Sequence, residues 1–373
     1  MIDIEALREI NYIIEHDSTS STYKYALLKA VIESTQKYDH LIQIKKGKAH
    51  IPLGLIVEQW IIDYMPFVFS SISQQNNKAV LDKPIELHYQ NIFNILNLDN
   101  KQNWEYAYKQ FIKAYKYDIM NSELSNEFFK LSKKIAEKIS NMPMKFTGKE
   151  HYGFFQPEYT KFGHVQINSK QTYDSGYFIN IFGTFSMAES YYQIFRYLGQ
   201  TLYGKSTIIT KWKEKTIALN QGRKVIDELD RLLTNPFDDR DTAGSRSIFQ
   251  GEQKCVWTGD IVSQKQMDID HLLPYSIWVN NDFWNLLPTN RVLNQKQKKD
   301  KIPTRLLIQK QADTIIDYWK VYEDKISQLF LSQISISLTG SDLYSVNYDK
   351  AIEALCKKSD YLIHDRGHSG FEI

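Results

Sequence analysis

Apolar residues near the start of the chain recur every three to four positions: Ile4, Leu7, Ile10, Ile13 and Ile14, then Tyr25, Leu27, Val31 and Ile32. A helix gathers that spacing into one face, so the first third of the chain is expected to be helical. The polar stretch between the two runs, Asp17 to Tyr23, offers several Ser and Thr side chains as N-caps. The run from Ile51 to Phe69 is the most apolar, and Glu58, Gln59 and Asp63 interrupt it. It reads as a buried amphipathic helix, with Trp60 and Tyr64 four apart on one side, and not as a membrane span. After a polar connector at 71–82, helical patterns return at 84–98, 101–117 and 122–140.

The texture changes near Asn141. Gly, Phe, Tyr and Pro punctuate 141–184, and the runs 163–168 and 176–182 read as short strands. Helices are expected again at 186–202, 205–218 and 221–233. The charged, breaker-rich segment 234–245 then marks the main boundary. The expected class is α+β. A helical domain (1–140) is followed by a mixed strand and helix segment packed on it (141–235), then by a C-terminal domain with its own helices (245–373).

Composition narrows the choice of function. With 42% apolar and 24% charged residues, the chain carries enough for a sizeable core, and wholesale disorder is not expected. The balance of 46 Lys and Arg against 44 Asp and Glu excludes a polybasic coat, although a neutral total still allows a locally basic face. Only Cys255 and Cys356 are present, which excludes a disulfide scaffold and a four-cysteine zinc site. The opening MIDIEALREINYIIEHD carries acids throughout and does not read as a signal peptide. A reduced, cytoplasmic protein without membrane attachment is expected. No phosphate-binding loop, dinucleotide fingerprint, helix-turn-helix or zinc finger is visible.

From Cys255 onward the residues suggest chemistry. The stretch reads CVWTGDIVSQKQMDIDHLLPYSIWVNNDFWNLLPTNRVLNQKQKKDKIP. Two ligand-type residues, Asp270 and His271, stand side by side at the end of a predicted strand. Neighbours on a strand point to opposite faces, so both serve one site only where the strand ends in a turn, which Pro274 favours. A loop rich in Asn and Trp follows, then Asn285-Leu-Leu-Pro and a polar, basic, helix-compatible run from Asn290 to Lys301.

This segment, roughly residues 250–305, resembles the HNH endonuclease superfamily, whose core is two strands and one helix around a single divalent metal. The resemblance rests on Asp270-His271, on Asn285 in a Trp-Asn-Leu-Leu-Pro context, and on Asn294, where other members have His. The wording DIDHLLPYS, NNDFWNLLP and the closing Ile-Pro is similar to a subgroup found in bacterial restriction and phage-defence proteins.

The resemblance implies a role for each matched residue. His271 would be the general base, since a neutral imidazole takes a proton from water near physiological pH. Asp270 and Asn294 would hold Mg²⁺ or Mn²⁺ through oxygen, with phosphate and water completing the shell. Asn285 would orient the loop that aims His271. Asn281 and Asn290 are read as loop residues, and Trp278 and Trp284 as core.

Two departures from the superfamily stand out. Thr258 stands where a second cysteine would complete a zinc-binding pair, so no structural zinc is expected and Trp257, Trp278 and Phe283 would pack in its place. Relatives often carry Lys three residues after the last Asn. Here Gln297 has that place, Lys298 follows, and Pro303 comes one residue late, which points to an insertion at the start of the last helix.

Between residues 291 and 310 seven basic residues face Asp300 alone. Arg291, Lys296, Lys298, Lys299 and Lys301 are therefore expected to contact a phosphate backbone. The His364 to His368 segment reads as a solvated tail, and Gly148 to Tyr152 and His164 have no assignable partner. The expected function is DNA hydrolysis in restriction or anti-phage defence, as a homodimer or with a defence partner. The alternatives are an inactive HNH-fold regulatory subunit and an RNA-cleaving nuclease.

Overall fold

The computed structural model describes residues 3–16, 19–99, 101–117, 120–148, 154–158, 164–166, 179–203, 208–221, 229–234, 240–340 and 345–373. The chain divides into two compact units, Met1–Asp238 and Asp239–Ile373. It combines a mainly helical N-terminal region with a C-terminal unit of small sheets and helices. Among the described residues, no helix is long and apolar enough to cross a membrane.

In the first unit the helices Ile4–His16, Tyr23–Lys37, Leu53–Phe69, Lys83–Ile95, Trp104–Ile112 and Ser122–Asn141 follow the apolar periodicity. Helix Leu53–Phe69 is buried nearly all round, more than an amphipathic reading implies. Its interrupting acids are neutralised in place: Asp63 pairs with Lys29 at 2.7 Å and Glu58 with Lys116 at 3.2 Å. Trp60, Tyr64 and Phe67 of this helix meet Tyr23 and Trp212 in one aromatic core.

The helical reading of the first third misses a hairpin. Strands β1 (Gln43–Lys45) and β2 (Lys48–Pro52) pair antiparallel across Lys46 and Gly47, which have φ of 50° and 70°. Two successive positive φ values define the tight turn that suits strand twist. Ile51 and Pro52 thus close a strand, and the helix begins at Leu53. Strands β3 (Gln156–Glu158) and β4 (Thr184–Ala188) complete a sheet ordered β1-β2-β4-β3.

The expected strand at 176–182 is not where the sheet forms. Residues 179–181 are helical, Gly183 turns the chain at φ 74°, and β4 follows. Residues 176–178, most of 163–168 and Lys149 to Tyr152 lie outside the described residues; residues 164–166 form no strand.

Among its described residues the second unit has three two-stranded sheets. Strands β5 (Gln253–Lys254) and β6 (Ile261–Val262) flank the Cys255 turn. Strands β7 (Met267–His271) and β8 (Leu286–Asn290) pair antiparallel, from Met267 opposite Asn290 to His271 opposite Leu286. Strand β9 (Ile302–Pro303) pairs in parallel with β10 (Gly370–Phe371).

Helices Arg305–Lys310, Ala312–Ile334 and Tyr348–Asp360 close the core around Trp257, Trp284, Trp319 and Tyr322. The indole nitrogens inside it are satisfied: Trp319 donates to the Trp284 carbonyl at 2.9 Å and Trp284 to Ser337 Oγ at 2.7 Å. Trp278 and Trp284 are both buried here. Residues His364 to His368 are exposed or half-buried, and beyond them Phe371 is buried and meets Trp257 edge-on.

Candidate active site

Strand β7 delivers Asp268, Asp270 and His271. Side chains two apart on a strand share a face, so the two carboxylates lie on one side of the hairpin. The strand stops at His271, and the chain turns away through Leu272, Leu273 and Pro274. The following loop returns to β8 and is fastened by Asn285, which is wholly buried. Its Oδ1 accepts from the Leu273 amide at 2.8 Å, while its Nδ2 donates to the carbonyls of Leu273 at 3.1 Å and Asn280 at 3.2 Å. Asn285 therefore acts on the loop backbone.

The imidazole of His271 is held by another residue, Asn281. Asn281 Oδ1 lies 3.0 Å from His271 Nε2 and also accepts from the Asp241 amide at 3.3 Å. A backbone N–H only donates, so the Asn281 atom it meets is the oxygen. His271 Nε2 must then carry the proton, which leaves Nδ1 as the basic nitrogen. Burial pushes His271 down to about 4; the charges of Arg240 and Lys298 act in the same direction, and the hydrogen bond to Asn281 opposes them. The ring is thus neutral at physiological pH. Tyr275 lies beside it, with ring centroids 5.3 Å apart.

Asp270 is buried and fully engaged. Its Oδ2 accepts from Trp257 Nε1 at 2.9 Å and lies 2.9 Å from Lys298 Nζ, which also reaches Oδ1 at 3.1 Å. The same ammonium donates to the His271 carbonyl at 2.7 Å and sits 5.6 Å from the centroid of the Trp257 ring. Burial pushes the Asp270 carboxyl up and the Lys298 ammonium down, and the opposite charge of each works against that.

The expectation that Lys298 contacts DNA therefore fails: its side chain is 0% exposed and bound to Asp270. The cause is a π-helical turn at Asn294–Lys298, closed by the Lys299 amide on the Asn294 carbonyl at 2.8 Å. A π turn accommodates one extra residue in a helix, and here it turns Lys298 inward. Lys299 then leaves the helix with φ 51°.

Arg291, Lys296, Lys299 and Lys301 remain exposed. Arg305, counted in the same basic run, is instead paired with Glu353 and Asp360, each at 2.8 Å. The local surface is basic, but through fewer residues than the sequence count suggests.

Asn294 does not meet Asp270. Its Nδ2 donates to Asp268 Oδ2 at 3.2 Å, and Asp268 also pairs with Arg246. Among the described residues, no group of three His, Cys, Asp or Glu side chains is gathered as a metal site. The donor chemistry nevertheless suits a hard cation. Two carboxylates lie on one strand face, and Asn294 is joined to the first by its amide nitrogen with its oxygen left to coordinate, although the Lys298 ammonium occupies the second. Cys255 is buried; hydrogen bonds from Thr289, the Asn290 amide and Thr258 outweigh burial and lower its thiol pKa.

Residues 3–232 match the family model of a domain of unknown function, DUF8808. The chain belongs to the DUF8808 family. Residues 254–304 of this DUF8808 protein match the HNH endonuclease family model. That match supports a nuclease hydrolase acting on nucleic acid, in a group whose members generally use a divalent metal. Comparison with curated proteins and with solved structures gave no match.

Asn281, Trp257 and Asp268 carry more of the DUF8808 protein's site than their sequence context suggests. The place of Asp268 is written in the sequence, since it lies two residues before Asp270 on the same strand face. The contacts of Asn281 and Trp257 depend on where two loops close, which periodicity does not encode.

Proposed function

We propose that the C-terminal unit is a metal-dependent endonuclease that hydrolyses DNA phosphodiester bonds. The observation that carries this reading is His271, kept neutral by burial with Nε2 fixed on Asn281, at the end of the strand that holds Asp270. His271 Nδ1 takes the proton from the attacking water. Asp270 and Asn294, joined by Asp268, would hold Mg²⁺ or Mn²⁺, which supplies charge relief to the phosphate and its leaving oxygen. Asn285 keeps the loop closed behind the base. Arg291, Lys296, Lys299 and Lys301 steer the phosphate backbone toward the site. A restriction or anti-phage role follows from the subgroup that the motif resembles, with the DUF8808 region as recognition or assembly module. Two copies or two successive nicks are needed for a double-strand break, since one such site cuts one strand.

One observation favours a second reading. Lys298 neutralises Asp270, as it would in an HNH fold that binds DNA without cutting it. Incubation of the purified protein with supercoiled plasmid and Mg²⁺ or Mn²⁺ separates the two. Nicking or linearisation that EDTA and His271→Ala both abolish is expected. Intact plasmid would favour the binding module, and cleavage of an RNA substrate alone would redirect the assignment to RNA.

A further inference from the structure

The contacts of Lys298 go beyond those of a structural ion pair. Its ammonium touches both oxygens of Asp270 and the carbonyl of His271, so its hydrogen-bonding capacity is spent inside the candidate site. The side chain is wholly buried, and it arrives there through the π-helical turn Asn294–Lys298. A buried carboxylate needs an opposite charge beside it. Lys298 supplies that charge where a divalent cation would otherwise supply it. A cation taken up by Asp270 must displace the ammonium or share the carboxylate with a like charge, and both lower its affinity.

We propose that Lys298 is a stand-in cation that holds Asp270 and sets how tightly the free protein binds its divalent metal. This rests on the reading of Asp270 as a metal ligand. Removal of the ammonium leaves a buried carboxylate held by the Trp257 indole but without its ion-pair partner, a charge that a metal would supply. The residue therefore tunes loading of the site and takes no part in proton transfer.

Calorimetric titration of Mn²⁺ into the full chain without DNA tests this. Lys298→Gln is expected to bind at least about tenfold more tightly than the wild type, and the double variant Asp270→Asn, Lys298→Gln is expected to lose that gain. Thermal melts give a second readout. Lys298→Gln should melt low in EDTA and recover with Mn²⁺, while the wild type shifts little. Equal Mn²⁺ affinities, a gain that persists in the double variant, or a Lys298→Gln protein that Mn²⁺ does not restore would each overturn the proposal. A wild type that cuts no DNA but shows these differences would overturn the nuclease reading and keep this one. Plasmid cutting with equal affinities would do the reverse.

Discussion

Asn281 Oδ1 meets His271 Nε2 at 3.0 Å, and this contact decides which nitrogen of the imidazole is free to act as base. Loss of the acceptor should cost turnover more than substrate binding. Partners that orient a site residue are typically worth 10–100-fold, so Asn281→Leu should lower kcat by about that factor with little change in KM for DNA. Asn281→Asp keeps the acceptor and should recover most of the rate. Plasmid-nicking kinetics check this, and full activity in Asn281→Leu would remove Asn281 from the mechanism.

The same histidine gives a pH dependence of stability. The unfolded imidazole titrates near 6.5 and the folded one at about 4. A histidine buried neutral binds fewer protons when folded, so acid favours the unfolded chain. The contribution is fully present above pH 6.5 and falls as pH drops from 6.5 toward 4. For one site the loss is up to about 3 kcal/mol. Urea unfolding at pH 7 and pH 5 should show the drop, and His271→Leu should flatten it. An equal slope in that variant would assign the effect to other groups.

Legibility in the sequence followed the range of the interactions. Asp270 and His271 close strand β7 as their sequence implies, because a strand end and Pro274 are local features. The helices up to Asn141 were found because their apolar faces repeat. The hairpin at 43–52 leaves little trace in the sequence because its strands are short and lie between strong helical runs. The burial of Lys298 is not legible because a run of polar and basic residues looks alike in an exposed α-helix and in a π turn with one side chain driven inward. Asn281 and Asn285 share the same composition and loop; only closure of the backbone gives one the imidazole and the other the Leu273 peptide groups.

Asn285 should matter to stability before it matters to chemistry. Asn285→Ala would remove three hydrogen bonds and leave the buried Leu273 amide without its side-chain acceptor. A loss of about 3 kcal/mol from the second unit is expected. Denaturant unfolding followed by tryptophan fluorescence would read it, because Trp278 and Trp284 lie in the affected core. A change below about 0.5 kcal/mol would mean that the loop is held by other contacts.

The exposed basic residues separate binding from catalysis. Lys296→Glu with Lys299→Glu should weaken DNA binding most at low salt. If both lysines contact phosphates, the slope of log K against log salt should shrink by about 2. Lys298 is a poor target for this purpose, since its ammonium is buried against Asp270 and its substitution would disturb the site itself. Fluorescence anisotropy with a labelled duplex, repeated over several salt concentrations, measures the slope. An unchanged slope would make the exposed lysines a solvated face and would move the DNA contact to another surface of the unit.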